Sequence, residues 1–394
     1  MTFKLGYAQS VITPDLTRPV YLAGFGQDRI ARSIHDDLFV RVLALHQGGS
    51  TLALVSLDLI GFFRLDVMEV SKRVQAIHPD ASIIISSSHT HHGPDTMGFW
   101  GSNSSTSGVD STYMAVIKEK ITSSILSALG QLADCDEVKS ATIRTTGLVK
   151  NSRDPGVLDE ELVIMQFSQN GKTLVTVFNF ACHPEVLWDQ NPQITSDYPG
   201  FVREEVEKAT GSPCIFFPGA LGGMLTPDVS EHSFEEAEQM GKTLAFTGLL
   251  ALERTEIKML QPSLEIKKTG LSVKLTNILY KIAFMRKLLP DARDKHGNVS
   301  SEINLIRIGE VWFATIPGEL LPKLGLTLKA DMIKAGAKIA GIIGLANDEL
   351  GYILPKEEFR YPLNPFRPGK HYEETNSIGN EIGPKVLDAV RSLL

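Results

Sequence analysis

Three times along the chain a β-hairpin signal is followed by a helical period and then a short apolar strand. This recurrence limits the fold more than any other feature. In the first copy, apolar runs at 38–45 and 51–57 flank Gln47-Gly48-Gly49-Ser50. A helical face of Val67, Val70, Val74 and Ile77 then leads to Ile83-Ile84-Ile85. The second copy has runs at 162–167 and 173–180 around Gln169-Asn170-Gly171-Lys172, a helix over 198–209 and a strand at 215–217. The third has runs at 302–308 and 311–316 around Gly309-Glu310, a helix to about 335 and a strand at 338–344. Further helices are expected over 112–132 and 378–393. No clear sequence identity links the copies. Hairpins require antiparallel pairing, whereas helix-linked strands favour parallel pairing. The expected fold is therefore mixed α/β: one large mixed sheet built from three hairpin–helix–strand units, with flanking helices.

The ends of these strands carry the chemistry. The hairpins end at Asp58, His183 and Glu319, and the third strands run into SSSHTHHGP, PGALGG and ANDELGY. If the units lie side by side, these tips gather on one edge, where binding crevices form. In extended backbone His89 and His91 share a face and His92 points away. His89, His183 and Glu319 come from three different units, and Tyr352 follows the last tip. A set of imidazoles with a carboxylate suits Zn²⁺ better than Mg²⁺ or Ca²⁺. One zinc per chain is expected. Its bound water, ionising near pH 7, would supply a hydroxide nucleophile. His91 then acts as general acid to a leaving amine, and Asp58, Asp197 or Glu185 orients a ligand histidine. The plainer roles stand beside these: His183 as a strand end before Pro184, and Glu319 as a first-turn carboxylate at a helix start. The loop Pro218–Gly223 matches neither GxGxxG nor the P-loop. Its Gly219 and Ala220 are read as close backbone approach in a site wall. No GxSxG elbow is present, so a serine hydrolase of the α/β type is unsupported.

Composition bounds the partners. A net charge of −7 with no basic stripe argues against nucleic acid. No apolar run reaches the roughly 20 residues needed to span a bilayer. Cys135, Cys182 and Cys214 show no CxxC spacing, suit buried thiols in a reducing compartment and, with no leader pattern at residue 1, point to a cytoplasmic protein. Cys182 and His183 are strand neighbours on opposite faces, so Cys182 is read as a core residue. The Gly/Ser/Asn-rich loop 95–110 is expected as a lid or substrate rim. Residues 271–289 look amphipathic, with Lys274, Lys281, Arg286 and Lys287 among apolar residues. They are expected as a helix packed on the core, with a membrane-surface helix as the alternative. A homo-oligomer is left open.

At these residues the chain resembles the neutral/alkaline ceramidases, zinc-dependent amidases that cleave the N-acyl bond of ceramide. The matching pieces are SSSHTHHGP, NFACHP with TSDYPG, PGALGG with Thr226-Pro227, the Pro-Gly-Glu at 317–319, and GYILPKEEF with HYEETNSIG. They follow family order over most of the chain. The resemblance implies zinc held by His89, His183, Glu319 and Tyr352. It also implies proton transfer assisted by His91, Arg153 near the reacting group, and a mixed α/β catalytic domain. Two departures stand out. Val11 occupies the place of an early family Asp, and Gly222–Asp228 lacks the Asp of Gly-Asp-x-Ser-Pro-Asn, gains a residue and has Thr226 for Ser. Both fall on the substrate side and leave the metal residues in place. Residues 1–394 are expected as a single catalytic domain without the β-sandwich of the longer members.

The function expected is a zinc-dependent hydrolase of an amide C–N bond acting on a small-molecule or lipid-like amide. An esterase, lactonase or peptidase on the same scaffold is one alternative. A catalytically silent relative that binds an amphiphile is another.

Overall fold

A computed structural model describes residues 2–255, 257–285, 293–359 and 372–394. Each repeated unit forms its own sheet, and the three sheets enclose one core. The first sheet runs in the order Ala81–Ser87, Ser50–Leu57, Phe39–Gln47, Lys4–Val11, with Ala133–Asp134 at its edge. The second orders Cys214–Pro218, Lys172–Phe180, Glu161–Gln169, Glu137–Arg144 and Lys258–Leu260. The third orders Ile339–Ile343, Val311–Thr315, Asn298–Ile308 and Leu264–Lys274. In each sheet a hairpin feeds a helix, and the next strand returns parallel to the hairpin's second strand. The mixed α/β class holds, but the single large sheet does not. A one-residue alternation along each strand explains why. Leu43, Leu45, Leu52, Leu54 and Ile84 face the central core, which they share with Met165, Phe167, Ile215, Phe217, Ile306 and Phe313 from the other two sheets. Their alternates Val42, Ala44, Ala53, Val55, Ile83 and Ile85 face the helices Arg64–Gln75 and Ser111–Gly130. The hairpin strands and the strands that return after the helices are thus largely buried on both sides, which is why those runs read as continuous apolar stretches. Truncating a fully buried aromatic such as Phe217 should cost about 3–5 kcal/mol.

Two further elements depart from expectation. An antiparallel strand flanks each hairpin: Lys4–Val11, Glu137–Arg144 and Leu264–Lys274. The piece 271–289 is therefore not one helix. Its first residues complete an eleven-residue ladder with Asn298–Ile308, and the helix is only Ile278–Met285, with no buried residue. Residues 286–289, with Arg286 and Lys287, lie outside the described residues. Leu271 and Val273 alternate inward with Ser272 and Lys274 outward, the period of a strand rather than a helix. The last helix, Ile382–Arg391, is shorter than expected. Among the described residues, no helix is long and apolar enough to cross a membrane.

The tips of the three parallel strands are tied to one another. The Ser86 hydroxyl donates to the Gly344 carbonyl at 2.8 Å, the Asn347 amide to the Ile85 carbonyl at 2.7 Å, and the Gly344 amide to the Pro218 carbonyl at 2.9 Å. The Asn347 side chain also accepts from the Ile85 amide at 2.7 Å. These bonds bring the three loops to one place.

Candidate metal centre

His89, His91 and His183 are buried, and each offers a ring nitrogen within 4.8 Å of the others'. The three can hold a metal ion. The strand before the first two ends at Ser87, and His89 takes a left-handed φ of 73°. Strand alternation therefore does not bring His89 and His91 together, as the sequence suggested; a turned backbone does. The His89 amide is held by the Leu59 carbonyl at 2.9 Å, and the His91 amide reaches the Pro184 carbonyl of the second unit at 3.2 Å.

Glu319 completes the group. It sits in a two-residue strand parallel to Tyr352–Ile353, with Glu319 opposite Tyr352. The Glu319 backbone is pressed against the second-unit loop: a side chain at Gly222 would collide with the Glu319 carbonyl. This is the close backbone approach expected of PGALGG. Glu319 Oε2 lies 3.1 Å from His183 Nε2 and 3.6 Å from His89 Nε2.

The other ring nitrogens decide what those distances mean. His89 Nδ1 is 2.6 Å from the Ile60 carbonyl and His183 Nδ1 is 3.0 Å from the Leu225 carbonyl. A carbonyl only accepts, so both Nδ1 atoms carry the hydrogen. In the neutral rings both Nε2 atoms then present bare lone pairs toward Glu319. Acceptors cannot rest this close without a proton or a cation between them. In the metal-free protein a proton fills that place. Burial alone would push His183 down, but the bond to Glu319 and the charge of Glu185 raise it to about 9. Burial works against the Glu319 charge, yet His89 and His183 hold the carboxyl well below the usual range. Two δ-protonated imidazoles and a carboxylate fit a divalent ion such as zinc.

His91 differs. Its Nδ1 is 3.1 Å from Glu185 Oε2, but at an angle outside a hydrogen bond. Burial holds the ring at about 4 despite that neighbour. Glu185 is held at about 2: burial would raise it, but His91, His183 and the Thr226 side chain beside it more than offset that. The ring packs against Gly24, whose φ is 106°, and a side chain there would collide with it. Tyr352 is buried beside Glu319, and burial followed by that charge pushes its phenol well up.

The remaining expected site residues are placed elsewhere. Asp58 makes a two-pronged pair with Arg203, at 2.7 and 2.8 Å, and orients no ligand. Asp197 caps its helix through the Tyr198 amide and faces His92 Nε2 at 3.5 Å. Backbone carbonyls orient His89 and His183, the task expected of these carboxylates. Arg153 is bound by Glu373 at 2.7 Å, Glu374 at 3.2 Å and Glu358 at 3.7 Å. Its charge is already matched there. Gly219 packs on Ala181 and Ala220 belongs to the third unit's core. Cys182 is buried, as are Cys135 and Cys214.

A cavity of about 470 Å³ opens onto His89, His91, Glu319 and Tyr352. Phe25, Phe99, Trp100, Tyr280 and Tyr372 wall it. The loop after Pro94 is its rim: Asp95 accepts from the amides of Met97, Gly98, Trp100 and Gly108, and Trp100 Nε1 donates to the Phe25 carbonyl at 3.1 Å. Glu349 also lines it, and burial followed by the Glu319 charge pushes that carboxyl well up. Sequence reasoning missed Glu349 and Tyr280, although ANDELGY had marked the tip that carries the first.

This is a mixed α/β scaffold with a buried cluster of three histidines, able to hold a metal ion, at its strand tips. Among solved structures it resembles the neutral ceramidase from Pseudomonas aeruginosa, with a TM-score of 0.80 and 17% identity over 100% of this chain and 74% of that one. A ceramidase in complex with C2 also matches at a TM-score of 0.80, with 16% identity over 100% of this chain and 75% of that one. The chain has a neutral ceramidase-like fold. No family model matches it. No curated protein matches it either.

Proposed function

We propose that the protein is a zinc-dependent hydrolase of an amide C–N bond, with one ion per chain held by His89, His183, Glu319 and Tyr352. The observation that carries this reading is the pair of δ-protonated imidazoles turning Nε2 atoms toward one carboxylate at the floor of an aromatic cavity. When bound between these residues, a divalent ion would supply Lewis-acid polarisation of a carbonyl and a lowered pKa for water.

The chain's own residues do the rest. His91 is neutral at pH 7 and takes the proton of the attacking water, then delivers it to the departing nitrogen. Glu185, 3.1 Å from its Nδ1, steadies the imidazolium that forms between the two transfers. Tyr352, paired with Glu319 across their short parallel strands and lining the cavity, would hold the ion from the side that the substrate enters. Arg153 acts by position: its pairs with Glu373 and Glu374 hold the turn Tyr372–Thr375, which sets Tyr372 in the cavity wall. The aromatic wall suits an apolar acyl group, which favours lipid-like or aryl amides as substrates.

The test is elemental analysis of the purified protein, then turnover of N-acyl amides of graded acyl length against matched esters. Zinc near one per chain with amide turnover supports the reading. Ester-only turnover or no bound metal overturns it.

A further inference from the structure

We propose that Arg29 is a positioning residue for His91: its guanidinium ties together the three chain segments that set that ring. This rests on the reading in which His91 moves the proton, and it names the side chain that holds His91 to the task.

The planar fork of Arg29 reaches all three segments at once. Its Nη1 donates to the Ala23 carbonyl at 2.9 Å and to the His91 carbonyl at 3.2 Å. Its Nη2 donates to the Asn191 carbonyl at 3.3 Å and faces His92 Nδ1 at 3.5 Å. Its Nε donates to the Asp189 carbonyl at 3.0 Å. None of these acceptors is a carboxylate. The side chain therefore organises backbone rather than neutralising a charge.

Each segment bears on His91. Ala23 precedes Gly24, on which the His91 ring packs so closely that a side chain there would collide with it. The Phe25 ring lies 4.9 Å from the guanidinium and meets the His91 ring edge-on at 4.9 Å. The segment 184–191 supplies the Pro184 carbonyl to the His91 amide at 3.2 Å and sets Glu185 Oε2 3.1 Å from His91 Nδ1. Two turns connect Glu185 to the clamped end: the Trp188 amide donates to the Glu185 carbonyl at 3.1 Å, and the Asn191 amide to the Trp188 carbonyl at 3.5 Å. Holding 189 and 191 thus holds the stretch that carries Glu185. His92, outside the three-histidine cluster, joins the same clamp, because its Nδ1 accepts from Asn191 Nδ2 at 3.2 Å. A lysine ammonium is one point charge on a flexible stem and cannot span three segments as a fork does.

Two measurements on the purified protein test this. The first is a double-mutant cycle on amide turnover with Arg29→Lys and His91→Ala. Alone, Arg29→Lys should lower kcat about 10–100-fold, as a small misplacement of a reacting group does, with KM and zinc content near wild type. In the His91→Ala background it should change kcat by less than about twofold, because its effect passes through the ring that is gone. A loss of equal size in both backgrounds would be a structural effect and overturns the proposal, as does unchanged kcat in Arg29→Lys alone. The second measurement is the rate at which diethyl pyrocarbonate modifies His91, mapped by peptide mass spectrometry. The ring should react about tenfold faster in Arg29→Lys, the behaviour of a buried group given a local opening. The same rate in both proteins overturns the proposal. Arg29→Gln serves as the second variant, with the same outcomes expected. If no amide is turned over, the hydrolase reading fails, and the modification rate still decides whether Arg29 holds His91.

Discussion

His183 Nε2 and Glu319 Oε2 lie 3.1 Å apart although 136 residues separate them in the chain. With the ring's other nitrogen spent on the Leu225 carbonyl, the contact is satisfied only by a proton or a cation.

The metal should be lost when that pair is broken. His183→Ala and His89→Ala should each remove most of the bound zinc, read by elemental analysis of the folded protein. His91→Ala should keep its zinc and lose about 10²–10⁴-fold in kcat, the usual worth of a positioned general acid or base. A full zinc complement in His89→Ala would show that the ligand set is wrong.

Glu185→Gln should lower kcat about 10–100-fold, as loss of a partner that orients a site histidine commonly does. Zinc content and melting temperature serve as controls. Unchanged kcat would separate Glu185 from the action of His91.

Gly24→Ala places a methyl group into the His91 ring at a backbone φ of 106°. The expected result is a folded, zinc-loaded protein with strongly reduced turnover. Wild-type activity would mean that the ring need not stay where it is.

Asp58→Ala leaves Arg203 buried without its partner. The expected loss is about 3–5 kcal/mol of stability, read by denaturant unfolding, with zinc affinity of the folded protein retained. A loss below about 1 kcal/mol would contradict a structural role for the pair.

The metal-free protein should be least stable at both pH extremes. His183 is raised from 6.5 to about 9 in the fold, so its contribution is complete below pH 6.5 and is lost as pH rises through 9. His91 is lowered from 6.5 to about 4, so acid favours the unfolded chain and stability falls as pH drops from 6.5 toward 4. Each proton changes stability by about 1.4 kcal/mol per pH unit inside its window. Melting temperatures at pH 4.5, 7 and 10 would check this. Zinc should abolish the alkaline loss, because the cation takes the place of the proton.

The hairpins, the helices after them and the returning strands were legible from local signals: Gly-bearing turns, apolar periods and strand-length runs. His183 and Glu319 stood out because each closes a hairpin's apolar run, and His89 because it lies in the His-rich loop just after a strand. Asp58 stands at the same kind of position, yet it serves Arg203. Nothing local separates it from the others, since the partner lies 145 residues away. The strand Leu264–Lys274 was missed because its outer face carries lysines whose spacing among apolar residues also fits a helix.

The sequence by itself determined the three units, their strand ends and the kinds of side chain offered there, since turn chemistry and hydrophobic period act between near neighbours. Only the tertiary structure decided that the units close three sheets around one core and that His91 leans on Glu185. It alone brought Glu349 into the cavity wall. Those outcomes depend on which surfaces meet, and contacts between distant segments leave no periodic trace in the chain.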